Sequence, residues 1–190
     1  MHTPQVETGC PTKGVVLASI HRQNFVEGIG AAVSDGRWFE VDSDVEAATR
    51  HFRHAAALYR EGGFDALGLA GYRAAMALMH ALQSAHTSLE SALVRILEMI
   101  GEERPIGETW HADLIKRVAT VRRGRRPAIL SARLAEAADE TRRFRHRATH
   151  NYEGFQVEEI VPTIDAAVIL ANELESEILK FKNVIDPPTG

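Results

Sequence analysis

Leu89, Leu93, Ile96, Leu97 and Ile100 follow one another at the spacing of a single α-helical face. The rhythm returns near the end of the chain, where Val161, Ile164, Val168, Leu170, Leu174, Ile178 and Phe181 supply a second apolar face. No stretch of useful length alternates apolar and polar residues as a half-buried strand does. With 45% hydrophobic residues in a chain of 190, one domain with an ordinary core is expected, with room for an extension. The expectation is an all-α bundle of four to five helices joined by short connections.

Punctuation along the chain divides that bundle. Ser43 and Glu46 have the spacing of a capping box, which predicts a helix from Ser43 to about Arg60, closed by Gly62-Gly63. Asp65 can cap a long second helix to Ile100, ended by Gly101 and Pro105. A third helix is expected over Thr109 to Val121. A fourth is expected to begin at Pro127, where a missing N–H costs nothing, and to end near Tyr152 to Gly154. The last should run from about Glu158 to Phe181, with Pro162 tolerable only in its first turn. Before Ser43 the reading is poorer. Val15 to Val33 is a weak helix interrupted by Gly28 and Gly30, and Ser34-Asp35-Gly36 marks a turn. The expected division is an N-terminal extension over 1–42, a helical domain over 43–183 and a flexible tail over 184–190.

Charge and cysteine usage exclude some functions. Cys10 is the single cysteine, so an internal disulfide and a cysteine-based zinc site are ruled out, which fits a reducing cytoplasm. Gly14 to Val33 is broken by His21, Arg22, Gln23, Asn24 and Glu27, so it cannot span a bilayer, and no signal peptide is evident. No membrane association is expected. The net charge of −4 is modest, but eleven of the 22 Lys and Arg residues lie between Lys116 and Arg147. Such a stretch reads either as a solvated helix face or as a seat for a polyanion. On the second reading Arg122, Arg123, Arg125, Arg126, Arg142, Arg143 and Arg147 are the candidates for binding RNA.

That basic stretch runs into Arg145-His146-Arg147-Ala148-Thr149-His150-Asn151-Tyr152. Cutting RNA without a metal needs a base for the 2′-hydroxyl proton, an acid for the 5′-oxygen and a cation on the phosphate. His150 suits the base or the acid, Arg145 the phosphate, and His146 the positioning of either. One chain offers few groups for all three roles, whereas two chains about a twofold axis would bring two copies into one cleft. On an ideal helix Arg145 and His150 point roughly 140° apart. Either the helix loosens before His150 or the arginine acts across a dimer. The same residues also read as surface charges near a helix end.

The motif resembles the Arg-x4-His-x-Tyr signature of HepT-type toxins in the HEPN ribonuclease superfamily. The likeness extends to Pro105-Ile106-Gly107-Glu108-Thr109-Trp110-His111, to Leu114-Ile115 and to Phe144-Arg145-His146, and spans about residues 43 to 182. Many HepT proteins have asparagine where this chain has His146. The resemblance implies a HEPN-like bundle, a homodimer, and a cytoplasmic endoribonuclease toxin that needs no cofactor or metal. It also implies a cognate nucleotidyltransferase antitoxin that adds AMP to the motif tyrosine, here Tyr152. The alternative is a non-catalytic helical module that binds a nucleotidyltransferase or nucleic acid.

Other residues are weaker candidates. His51 with His54, or His80 with His86, lack the partners that would complete a metal site. Trp110 reads as a packing anchor. Glu90, on the long second helix, reads as a partner for Arg145 or as a solvated carboxylate.

Overall fold

The computed structural model describes residues 15–150 and 157–187, with side chains from 36 to 147 and from 159 to 187. Five α-helices follow in order: α1 Val15–Glu61, α2 Leu69–Met99, α3 Trp110–Ala119, α4 Ala132–His150 and α5 Val161–Ile185. A 3₁₀ turn, Val157–Ile160, leads into α5. Among the described residues there is no strand. One isolated bridge joins Arg122 to Arg126. The expected all-α bundle is observed. The chain divides into two compact units, Met1–Trp38 and Phe39–Gly190. The first contributes the opening part of α1. The second holds the rest of α1 and the other four helices.

The apolar rhythm of α2 explains the core. Leu78, Leu82, Leu89, Leu93, Ile96 and Leu97 are all buried. Phe52 and Val45 of α1, Leu114 and Val118 of α3, Leu134 and Ala138 of α4, and Leu170, Leu174 and Ile178 of α5 are buried as well. α5 packs mainly along α4, and α3 packs against α4 and α2. Two of the expected α5 core residues, Val161 and Val168, are instead exposed, at 42% and 40%. They lie roughly 120–140° round the helix from the line of Leu170, Leu174 and Ile178, too far to share its buried face.

Helix ends agree with the punctuation where glycine sets them. α1 stops at Glu61, and Gly62 and Gly63 follow with φ of 75° and 87°. α2 closes in a Schellman motif, with Glu102 N–H donating to Leu97 O at 2.8 Å and Gly101 N–H to Glu98 O at 3.1 Å. Pro162 falls in the first turn of α5, as required.

Helix starts differ more. α1 runs through both the expected turn at 34–36 and the expected cap at Ser43, because serine, aspartate and glycine weaken a helix without forbidding it. α2 begins at Leu69 rather than Asp65. Gly68 precedes it at φ 68°, and a Cβ on Gly71 would sit 2.1 Å from Ala66 O. The chain at 64–66 therefore lies directly against the first turn and cannot be part of it.

α4 begins at Ala132, not at Pro127. The reason is Arg126. Its guanidinium is buried and grips both carboxylate oxygens of Glu102, Nε to Oε1 at 2.8 Å and Nη2 to Oε2 at 3.1 Å. The other three N–H groups donate to the carbonyls of Thr120, Pro127 and Arg117, each at 3.0 Å. These bonds pin residues 120–127 to the end of α3. Ile129 N–H then donates to Val118 O at 2.7 Å, and Ile129 and Leu130 enter the core before the helix starts.

Candidate active site

Glu90 is the centre of the site. It lies on the buried face of α2 with 5% of its surface exposed. A carboxylate there is costly unless cations and donors surround it. Three side chains do so. Arg145 Nη1 of α4 donates to Glu90 Oε2 at 2.6 Å. His111 Nδ1, on the first turn of α3, bonds Oε1. His86, one helical turn before Glu90, brings Nε2 to 3.2 Å from Oε1, a contact better described as electrostatic than as a well-aligned hydrogen bond. Of the two readings of Glu90, the pairing with Arg145 is observed.

A further contact fixes His86. Thr141 of α4 donates its hydroxyl proton to Ala138 O at 2.9 Å. The same oxygen lies 2.9 Å from His86 Nδ1, so that nitrogen is the donor in the contact. His86, Glu90, His111, Thr141 and Arg145 thus form one polar cluster spanning α2, α3 and α4. Burial by itself pushes the Glu90 carboxyl up. The contacts and charge of His86, then of His111, outweigh it and hold the group below its ordinary value.

The cluster opens onto a cleft of about 370 Å³ lined by Glu108, Thr109, His111, Ala112, Arg142, Arg145 and His146. Loop and α3 form one wall and α4 the other. Arg142 also pairs with Asp139 at 2.7 Å. Phe144, between Arg143 and Arg145 in sequence, is buried and holds this part of α4 against the core. α4 stays helical up to His150, so the backbone does not loosen before that residue. Tyr152 lies outside the described residues.

The basic candidates stand in different settings. Arg142 and Arg145 line the cleft. Arg143 and Arg147 both reach Glu140, at 3.1 and 3.5 Å. Arg122 pairs with Glu102 at 3.4 Å, while Arg123 and Arg125 are exposed at the tip of the 122–126 turn. Arg126 corrects the expectation that it binds RNA, since all five of its donors are used inside the fold.

The family of HepT-like proteins matches residues 77–185. This chain belongs to that family. The matched span contains α2 from its third turn on, α3, α4 and α5, and so includes every residue of the Glu90 cluster in this HepT-like chain. No curated protein and no solved structure matches it.

Among the described residues, no helix is long and apolar enough to cross a membrane, and no group of three or more His, Cys, Asp or Glu side chains is placed to hold a metal. His51 and His54 stack edge to face, with ring centres 6.2 Å apart. Sequence context alone does not mark His111 and His86 as parts of the Arg145 site. The signals it does carry are the four-residue spacing of His86 and Glu90, and the position of His111 at the head of a helix.

Proposed function

We propose that this HepT-like protein is a metal-independent endoribonuclease toxin whose partner is a cognate nucleotidyltransferase antitoxin. The observation that carries the reading is Arg145, anchored by buried Glu90 at the wall of an open cleft beside His146, on a helix that continues to His150. A guanidinium held at one edge is fixed in its plane, which suits it to a phosphate. In this reading Arg145 steadies the phosphate, His150 exchanges a proton with the reacting oxygens, and His146 orients the strand. Arg142 in the cleft, with Arg143, Arg147, Arg122, Arg123 and Arg125 beyond it, attracts the RNA backbone. The active form is a cytoplasmic homodimer in which the arginine of one protomer serves the histidine of the other.

The test is cleavage of total RNA by purified protein. Arg145→Ala and His150→Ala should each lower the rate by more than roughly 10²-fold while helicity is unchanged. In this mechanism side chains move the protons and hold the phosphate, so activity should persist in EDTA. Activity abolished by EDTA and restored by Mg²⁺ would refute the mechanism. Folded wild-type protein that leaves RNA intact would favour a binding module.

Control by the antitoxin is proposed to act through Tyr152. AMP on its hydroxyl would add about one negative charge and a flat purine two residues from His150. Co-expression with the nucleotidyltransferase, followed by intact-mass measurement, should show the AMP adduct on wild-type protein and none on Tyr152→Phe. Toxicity neutralised with Tyr152 unmodified would replace modification by simple binding.

A further inference from the structure

The ribonuclease reading needs two proton-exchanging groups, and the motif on α4 supplies His150 for one of them. The structure assigns the other to His111: we propose that its Nε2 is the general base that takes the 2′-hydroxyl proton. This assignment rests on the ribonuclease reading and deepens it.

Glu90 sets the tautomer of His111. As an ionised carboxylate it only accepts hydrogen bonds, so His111 Nδ1, bonded to its Oε1, carries the proton. In the neutral imidazole the lone pair then sits on Nε2, the opposite ring nitrogen. His111 lines the cleft that also holds Arg145 and His146, and 32% of its side chain is exposed. One edge of the ring is therefore tied to a buried anion and the ring reaches the space where a phosphate would meet Arg145. A buried carboxylate behind an imidazole fixes its tautomer and stabilises the imidazolium that forms when the ring takes a proton. Here the same carboxylate also holds Arg145, so the base and the phosphate clamp share one anchor. Trp110, its ring 3.7 Å from that of His111 at a 31° tilt, lies against the imidazole and limits its rotation.

In the step itself, Nε2 of His111 takes the proton from the 2′-hydroxyl, and the 2′-oxygen bonds to phosphorus. The bond from phosphorus to the 5′-oxygen breaks, and that oxygen takes a proton from His150. The products are a 2′,3′-cyclic phosphate and a 5′-hydroxyl. The charged and titratable groups around His111 are Glu90 and His86 from α2, Glu108 from the loop before α3, and Arg142, Arg145 and His146 from α4.

The decisive variant is His111→Asn. Its side-chain amide can keep the hydrogen bond to Glu90 but has nothing at the Nε2 position. kcat/KM on a defined RNA oligonucleotide, followed from pH 5 to 9, should fall by about 10²- to 10⁴-fold, with the limb belonging to the base lost from the pH profile. Added imidazole should restore part of the activity of His111→Ala. A substrate with sulfur in place of the 5′-oxygen needs no acid, so it should rescue His150→Ala and leave His111→Asn slow. Rescue of His111→Asn by that substrate would make His111 the acid and overturn the assignment. So would a His111→Asn rate within a few-fold of wild type while His150→Ala is inactive, an outcome that leaves the ribonuclease intact. Wild-type protein inert across the whole pH range would instead defeat the ribonuclease reading, and this assignment with it. Circular dichroism of each variant separates a lost base from a lost fold.

Discussion

Arg126→Ala should cost about 3–5 kcal/mol of stability, the range found when one partner of a buried ion pair is removed. The guanidinium side chain is 2% exposed and that of its partner Glu102 is 7% exposed. Alanine would leave Glu102 with only the longer contact to Arg122 at 3.4 Å. The carbonyls of Arg117, Thr120 and Pro127 would lose a donor in the same change. Arg126→Lys should recover only a small part, because an ammonium has three donors where five are used and cannot make the paired contact to both carboxylate oxygens. For a unit of this size the melting temperature should fall by on the order of ten degrees. Below the melt, RNA affinity should match wild type. A variant with unchanged melting and weakened RNA binding would return Arg126 to the candidates for binding RNA.

Arg126 also shows why parts of the fold were not legible in the sequence. Its neighbours Arg122, Arg123 and Arg125 are exposed or half-exposed, and nothing local distinguishes it from them. The difference comes from Glu102, which lies 24 residues earlier, beyond the end of α2. That long-range pair overrides the local preference of Pro127 for a first helical turn and delays α4 to Ala132. By contrast, the ends of α1 and α2 were legible because Gly62 and Gly101 act within their own turn. The buried stripe of α2 was legible for the same reason, since helical periodicity is local. The site divides along the same line. Arg145, His146 and His150 stand together in one motif. Glu90 is 55 residues from Arg145 and 21 from His111, and only the packing of α3 and α4 on α2 brings the three together.

Glu90 carries the second large effect. Glu90→Gln keeps the volume of the side chain but removes the charge faced by Arg145, His111 and His86. The loss of stability at pH 7 should be about 3 kcal/mol, the lower end for a broken buried pair, because Arg145 and His111 are each about a third exposed and water can replace part of what they lose. The dependence on pH has a definite sign. In the folded protein the Glu90 carboxyl is held below its ordinary value of 4.5, so folding favours the ionised form. That contribution is fully present above pH 4.5 and is lost as pH falls through the lower, folded value. Urea denaturation at pH 7 and again near pH 3 should therefore show the gap between wild type and Glu90→Gln narrowing in acid. A gap that stays constant would mean that the carboxylate charge is not what stabilises the cluster. RNA cleavage should fall in the same variant even where it is fully folded, since both Arg145 and His111 lose the group that orients them. If cleavage stayed at the wild-type rate in folded Glu90→Gln, then Glu90 would hold the three helices together without positioning either side chain for chemistry.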